Sequence, residues 1–240
     1  MQAIETRTVA EIAAGSLAAV KVFERFGIDY CCGGKRPLDE VCRTKGLETK
    51  EVQRQLDAAI STSPAQQRDW ASAPLRELIS HIVQTHHEYL KRELGPLGER
   101  VAKVERVYSA RPEAVHRVAG LSAIFQELAS EMLMHMRKEE MMLFPVIEAC
   151  EQCVNAGQPL PPLPFGSVAN PIRMMESEHD SAGSALARMR EITNNFEVPA
   201  YACVTYRAMI SGLQELEEDL HLHVHLENNI LFPRALELER

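Results

Sequence analysis

An internal duplication in the second half of the chain constrains its fold more than any other feature. The segment HMRKEEMMLFP begins at His135, and the segment HVHLENNILFP begins at His223. Aligned without gaps, the two share a histidine, a glutamate four residues later, and the sequence Leu-Phe-Pro; they lie 88 residues apart (223 minus 135). Self-similarity at a fixed offset indicates a repeated structural unit. We therefore expect two equivalent halves, each built around one copy of this segment.

A weaker correspondence lies upstream of each copy. His87-Glu88 precedes the first copy and His179-Asp180 precedes the second, 92 residues apart (179 minus 87), which differs from 88 by a loop-sized insertion. The surrounding segments are rich in strong helix formers and lack the alternating pattern of strands, so the fold should be all-α. Each half is then a helix hairpin, with a lone histidine on one helix and the His-x3-Glu pair on the other. Together the hairpins predict a four-helix bundle.

The spacing of the duplicated residues predicts a metal site. Residues four apart lie on one face of a helix, one turn from each other, so a histidine and a glutamate can point at the same spot. Facing helices of a bundle can build metal sites from such side chains. Six ligands are too many for a closed tetrahedral zinc site, and imidazole with carboxylate favours iron over manganese or zinc. We predict two metal ions with both glutamates as bridges, held by His87, His135, Glu139, His179, His223 and Glu227.

A single His-x3-Glu pair is usually a surface pair, so the prediction depends on the duplication. His86 neighbours His87 and should point about 100° away around the helix, and His221 and His225 flank His223 at two-residue spacing and also face elsewhere. His81 lies six residues before His87 and His116 is remote, so all five are expected to be surface or packing residues. Glu131 and Glu178 are candidates to orient an imidazole, although solvated carboxylates are the simpler interpretation. Pro145 and Pro233 are expected to kink or end their helices.

The first sixty residues predict a separate small domain. Helices are expected over residues 8–26, 37–45 and 48–60, with a Cys-Cys-Gly-Gly turn at residues 31–34 and a linker at residues 61–64. The domains are therefore 1–62 and 73–240. In the second domain we expect helices over 74–94 (ended or kinked at Gly95-Pro96), 99–109, 113–150, 172–193 and 201–236, with a proline-rich linker at 158–170.

Composition narrows the class of protein. The net charge of −8 argues against a nucleic-acid partner, which needs a basic face. No apolar run approaches the roughly 20 residues that span a bilayer, and no signal peptide is evident. Six cysteines are too few and too unevenly spaced for a secreted disulfide scaffold. We expect a cytoplasmic protein with no membrane partner.

The cysteines leave alternatives open. Cys31 and Cys32 are either a redox or iron-transfer thiol pair or two small residues in a turn, because neighbouring cysteines rarely bridge each other. Cys150 and Cys153 form a CxxC outside the βαβ context of redox motifs, and we expect them to be incidental.

The pattern of the six predicted ligands resembles the hemerythrin-like di-iron domain. The segment DYCCGGKRPL resembles the small domain that precedes it in the bacterial repair-of-iron-centres family. The resemblance implies a cytoplasmic protein with an oxo- and carboxylate-bridged di-iron centre that restores iron–sulfur clusters damaged by nitric oxide or oxidants. It assigns the six ligands above and matches Cys31 and Cys32 to the family's vicinal cysteines. Damaged iron–sulfur proteins would be its partners, and nitric oxide or oxygen its small ligands.

One position departs from the oxygen-carrying hemerythrins. These usually have a second histidine four residues after the third-helix ligand, where this chain has Gly183. The leading hypothesis is a repair protein that supplies iron; the alternative is a di-iron protein that binds or reduces nitric oxide. An oxygen carrier or iron store is disfavoured by Gly183. Whether the protein is an enzyme, which proteins are its clients and whether it is a homodimer stay open.

Overall fold

The structure is a computed structural model that describes residues 7–62 and 68–239. Its α-helices are α1 (Val9–Gly15), α2 (Leu17–Phe26), α3 (Leu38–Lys45), α4 (Thr49–Thr62), α5 (Leu75–Ile82), α6 (Glu88–Tyr108), α7 (Leu121–Lys138), α8 (Phe144–Asn155), α9 (Ala169–Ile192), α10 (Val204–Leu226) and α11 (Phe232–Glu237). Within the described ranges there is no β-strand, only an isolated bridge between Thr8 and Pro37. The predicted all-α class is confirmed.

In the part of the chain that the structure describes, three five-residue π-helical turns interrupt the regular helices without ending them. They cover Val83–His87 between α5 and α6, Glu139–Leu143 between α7 and α8, and Glu227–Leu231 between α10 and α11. The last two come directly before the Phe-Pro pairs of the duplicated segment. Proline lacks an N–H and its ring collides with the carbonyl four residues back, and a wider turn accommodates this. Neither proline therefore ends its helix, and the predicted kink stays a prediction.

Other helix bounds also differ from the sequence expectation. Gly95 and Pro96 lie inside α6, which runs unbroken to Tyr108. The second long helix begins at Leu121 rather than at 113, after a short 3-10 turn at Val115–Arg117. Part of the expected linker at residues 61–64 lies outside the described residues, and α4 extends to Thr62.

The chain divides into two compact units. The first contains the described residues of Met1–Ser80, Ile147–Pro162 and His221–Arg240; the second contains His81–Val146 and Leu163–Leu220. The domain division at residues 62 and 73 stays a prediction.

In the first unit, local signals set the ends of the short helices. The Thr8 and Glu11 side chains form a capping box at the start of α1. Gly27 and Gly46 end α2 and α3 in the left-handed conformation, with φ of 60° and 67°. These helices enclose a core that includes Phe23, Leu38 and Leu56, all fully buried.

In the second unit, four helices share one core. Leu94 of α6, Leu128 of α7, Leu186 of α9 and Leu213 of α10 belong to one contiguous buried cluster. α6 and α10 approach closely at Gly212, where an added Cβ would lie 2.8 Å from the Leu97 side chain. This shared core is the bundle that the two hairpins predicted. No helix within the described ranges is both long and apolar enough to cross a membrane.

An ion pair between a partly exposed arginine and a buried glutamate joins α9 to α10 in the second unit. Both carboxylate oxygens of Glu217 accept hydrogen bonds from the Arg190 guanidinium, one of them at 2.6 Å, and Glu217 is only 3% exposed. The guanidinium also lies 4.8 Å from the centre of the Phe196 ring. A buried carboxylate that loses its charged partner is strongly destabilising.

We predict that Arg190→Met lowers the free energy of unfolding by about 2 kcal/mol, since it leaves the Glu217 carboxylate without its bidentate donor. Urea denaturation followed by helix circular dichroism measures the change. Arg188→Met, at an exposed position two residues away on α9, is the matched control. Equal midpoints for the two variants would contradict the prediction.

Candidate metal centre

The π turns of the second unit position two of the predicted ligands. His87 is the last residue of the first π turn and Glu139 is the first residue of the second. His135 lies one turn before Glu139 on α7, and His179 lies in the middle of α9. All four side chains are buried, with at most 1% exposure. π turns are frequent at functional sites because they re-aim side chains within a helix.

The four residues converge through their metal-binding atoms. The Oε2 atom of Glu139 lies 3.5 Å from Nε2 of His87 and 3.3 Å from Nε2 of His135. The Nε2 atoms of His135 and His179 are 3.0 Å apart. Ligand atoms of His135, Glu139 and His179 all lie within 4.8 Å of one another. The imidazole nitrogens and the carboxylate oxygen face one another, as the ligands of a shared cation do.

The opposite ring nitrogens are held by other carboxylates. Nδ1 of His87 bonds Glu140 at 2.7 Å, and Nδ1 of His135 bonds Glu178 at 2.8 Å. A carboxylate accepts the Nδ1 proton, so the lone pair of each imidazole is on Nε2, towards Glu139. Metal-binding histidines are oriented in this way.

Lysines hold both of these carboxylates. Lys91 lies 2.9 Å from Glu140, and Lys138 pairs with Glu178. Burial acts to raise the pKa of Glu140 and of Glu178, but the hydrogen bonds from the lysine and the histidine outweigh it and lower both pKa values. Both carboxylates therefore stay charged at neutral pH and keep accepting the Nδ1 protons.

The second copy of the repeat forms the same local arrangement in the first unit. His223 and Glu227 are both fully buried, and Nε2 of His223 lies 3.0 Å from Oε1 of Glu227. Glu227 begins the third π turn, as Glu139 begins the second. The shared His-x3-Glu spacing therefore has the same structural meaning in both copies.

The donor set fits a metal ion of the iron class. Burying a carboxylate among imidazoles is costly unless a cation or hydrogen bonds compensate its charge. Here the contributing atoms are imidazole nitrogens and carboxylate oxygens, a combination that suits iron. The buried histidines and glutamates form a metal-binding site consistent with iron. The number of ions and the complete set of six ligands stay predictions.

The remaining histidines and the candidate carboxylates differ in burial and in the residues that they contact. His86 is buried and bonds Asp219 at 2.8 Å, while His225 is buried in the first unit; both are packing residues. Glu131 is exposed on α7, whereas Glu178 contacts His135. Sequence reasoning missed Glu140. Its one signal is its place directly after Glu139, which does not say which neighbouring helix it faces.

The vicinal cysteines form an ordered turn. The Asp29 carboxylate accepts hydrogen bonds from the backbone N–H groups of Cys31, Cys32 and Gly33, at 2.8–3.0 Å. The two sulfur atoms are 3.8 Å apart; Cys31 is buried and Cys32 half-buried. A hydrogen bond with the Cys32 thiol, then burial, raises the pKa of Cys31 well above its usual value. Of these two cysteines, Cys32 is the more exposed. Cys150 and Cys153 are also free thiols.

Comparison with known proteins agrees with this geometry. Residues 78–235 match the hemerythrin HHE cation binding domain, and residues 5–60 match a domain of unknown function, DUF542. The proteins named iron-sulfur cluster repair protein YtfE from Pectobacterium atrosepticum, Escherichia coli O8 and Shigella boydii serotype 4 are each 38% identical over 235 residues, which cover 98% of this chain and 98% of each relative.

The chain belongs to the hemerythrin HHE family of cation-binding proteins. Within that class, it belongs to the family of the YtfE iron–sulfur cluster repair proteins, as its identity and full-length coverage establish. The resemblance inferred from the sequence is confirmed.

We predict that Glu178→Ala weakens metal binding by about tenfold to a hundredfold, because the His135 imidazole loses the carboxylate that orients it. Titration of metal-free protein with Fe(II) under anaerobic conditions measures the affinity. Glu131→Ala, on the exposed face of α7, should keep the parent affinity. If the two variants bind iron equally, Glu178 does not support the site.

Proposed function

We propose that this protein binds two iron ions and repairs iron–sulfur clusters damaged by nitrosative or oxidative stress, by supplying iron to them. The proposed ligands are His87, His135, Glu139, His179, His223 and Glu227, with Glu139 and Glu227 as carboxylate bridges and an oxo group between the ions. The observation that carries the proposal is the buried convergence of His135, Glu139 and His179. The names of the full-length relatives support the repair function.

The two copies of His-x3-Glu support two ions rather than one. Each glutamate lies one helical turn from its histidine, and a carboxylate has two oxygens with which to bridge. Bound iron supplies the charge that compensates the buried carboxylates and is also the cargo delivered to a client. The chain's own residues hold the imidazoles in the metal-binding orientation.

The carboxylates that hold the two imidazoles support a route for the release of iron. The Glu140 and Glu178 side chains are 28% and 30% exposed, although the histidines that they hold are buried. Each of these two buried histidines therefore contacts a carboxylate that is partly open to solvent. A docked client that engages Lys91 or Lys138 would compete for that carboxylate and loosen the imidazole.

The location and partners follow from the same proposal. Clients are proposed to be damaged iron–sulfur proteins in the cytoplasm, and no nucleic acid or membrane is required. A homodimer is not needed for the site, because one chain supplies all six proposed ligands.

A di-iron protein that binds or reduces nitric oxide is the second candidate. Gly183, four residues after His179 on α9, has no side chain that could bind a metal. One fewer imidazole leaves an iron position open to a small ligand, which favours reactivity over the reversible oxygen binding of a carrier or the retention of iron in a store.

We predict that the protein purified with adequate iron contains about two irons per chain. Glu139→Gln should retain its helicity but hold about one iron and lose magnetic coupling, because it removes a negative charge from between two cations. Metal analysis and Mössbauer spectroscopy measure both properties, and exposed Glu131→Gln is the control. One iron in the parent protein, clean zinc occupancy, or unchanged coupling in Glu139→Gln would contradict this assignment.

We predict that the reduced protein transfers iron to an apo iron–sulfur protein and restores its cluster when sulfide is supplied. His135→Ala should abolish the transfer because the donor holds no iron, whereas exposed His116→Ala should not. Anaerobic mixing with nitric oxide distinguishes the second candidate. Catalytic formation of nitrous oxide with full retention of iron would favour the reductase and contradict iron supply.

A further inference from the structure

The two copies of the duplicated segment differ in the residues that follow the glutamate. Glu140-Met141 follows Glu139, whereas Asn228-Asn229 follows Glu227. In the first copy, Glu140 bonds His87 and the Met141 side chain is 71% exposed. The second copy has two amides at these positions, so the same π turn serves a different purpose there.

Both amides of the second copy contact the turn that carries the vicinal cysteines. Nδ2 of Asn228 donates to the backbone oxygen of Cys31 at 3.3 Å, and Nδ2 of Asn229 donates to the backbone oxygen of Tyr30 at 2.8 Å. All of these residues belong to the first unit. The π turn that begins with Glu227 is therefore bonded directly to the backbone of the cysteine turn.

A second hydrogen bond fixes the Asn229 amide. Its Nδ2 atom also lies 2.9 Å from Nδ1 of His225, so the two amide hydrogens serve the Tyr30 oxygen and the imidazole. The His225 ring packs edge-on against the Tyr30 ring, with centroids 5.5 Å apart.

Hydrogen bonds and close packing restrain the backbone of the cysteine turn. A displaced thiol is therefore expected to move the backbone to which it is attached. Asp29 fixes three successive N–H groups, and Gly34 leaves no space for a side chain: an added Cβ would lie 2.5 Å from the Tyr30 oxygen. A group attached to the half-buried Cys32 sulfur, 3.8 Å from the buried Cys31 sulfur, would shift the carbonyls that Asn228 and Asn229 hold.

We propose that Asn228 and Asn229 are positioning residues that couple the state of the Cys31–Cys32 thiol pair to the π turn carrying Glu227, so that modification of Cys32 changes how tightly the protein holds iron. The inference rests on the proposed iron site and gives the thiol pair a defined role in it. Coupling free energies are reciprocal, so iron binding must in turn change the environment of Cys32.

The test uses the full chain with Cys203→Ser. Cys203 is exposed just before α10, and a hydrogen bond from the Tyr108 hydroxyl, followed by bonds from backbone N–H groups, lowers its pKa to about 7. It would otherwise consume the reagent first, and serine is a good residue before a helix. N-ethylmaleimide adds the Cys32 sulfur to its alkene carbon, and the neighbouring carbon takes up a proton. Peptide mapping locates the adduct, and Fe(II) titration gives the affinity.

We expect alkylation of Cys32 to change the dissociation constant for iron by about fivefold or more, the lower end of ordinary coupling between sites. It should also shift the absorption spectrum of the iron-loaded protein. In the variant with Asn228→Leu and Asn229→Leu, alkylation should change neither quantity. Met141→Leu, at the position of the first copy that corresponds to Asn229, should retain the full effect. Single Asn→Leu variants replace the double variant if its circular dichroism shows unfolding.

Two results would overturn the coupling. One is an iron affinity that alkylation does not change in the protein that retains Asn228 and Asn229. The other is a change in iron affinity of equal size in the double variant. A parent protein that binds no iron would contradict the proposed function and this inference together, whereas binding without a response to alkylation would contradict the inference alone.

Discussion

The structure depends on placing ionisable side chains where water cannot reach them. Glu139 is fully buried, with two imidazole Nε2 atoms within 3.5 Å of one oxygen. A carboxylate in such a place is costly unless its charge is compensated, so the surrounding helices must hold its partners accurately. The shared core of α6, α7, α9 and α10 holds the helices in place. The carboxylates bonded to Nδ1 of His87 and His135 orient the two imidazole rings. Packing and polar contacts together thus hold the partners of Glu139 in position.

The sequence was sufficient for the parts of this arrangement that follow from periodicity. Helical spacing placed His135 and Glu139 on one face, and the duplication extended that inference to His223 and Glu227. It also separated His87 from its neighbour His86, which bonds Asp219 instead. Whether all six residues bind two irons stays a prediction, because the same spacing is compatible with fewer ions.

Other features could not be read from the sequence because they depend on which helices are neighbours. Glu140 was missed because it acts across a helix pair, from the second π turn to the first. Glu178 was a candidate from the sequence, but the sequence did not show that it reaches from α9 to His135 on α7. Pro145 and Pro233 were expected to kink or end their helices, but the helical path continues through the π turn that precedes each of them. The local rule for proline did not predict the wider turn that comes before each one.

The divergence of the two copies has a simple cause in hydrogen-bond chemistry. The residue after Glu139 faces an imidazole Nδ1–H, which needs an acceptor, and a carboxylate supplies it. The residues after Glu227 face two backbone oxygens, which need donors. A carboxylate there would place negative charge against carbonyl oxygens in a buried setting, whereas an amide donates without adding charge. Each copy therefore keeps its His-x3-Glu pair, and the residues that follow differ according to the groups that they contact.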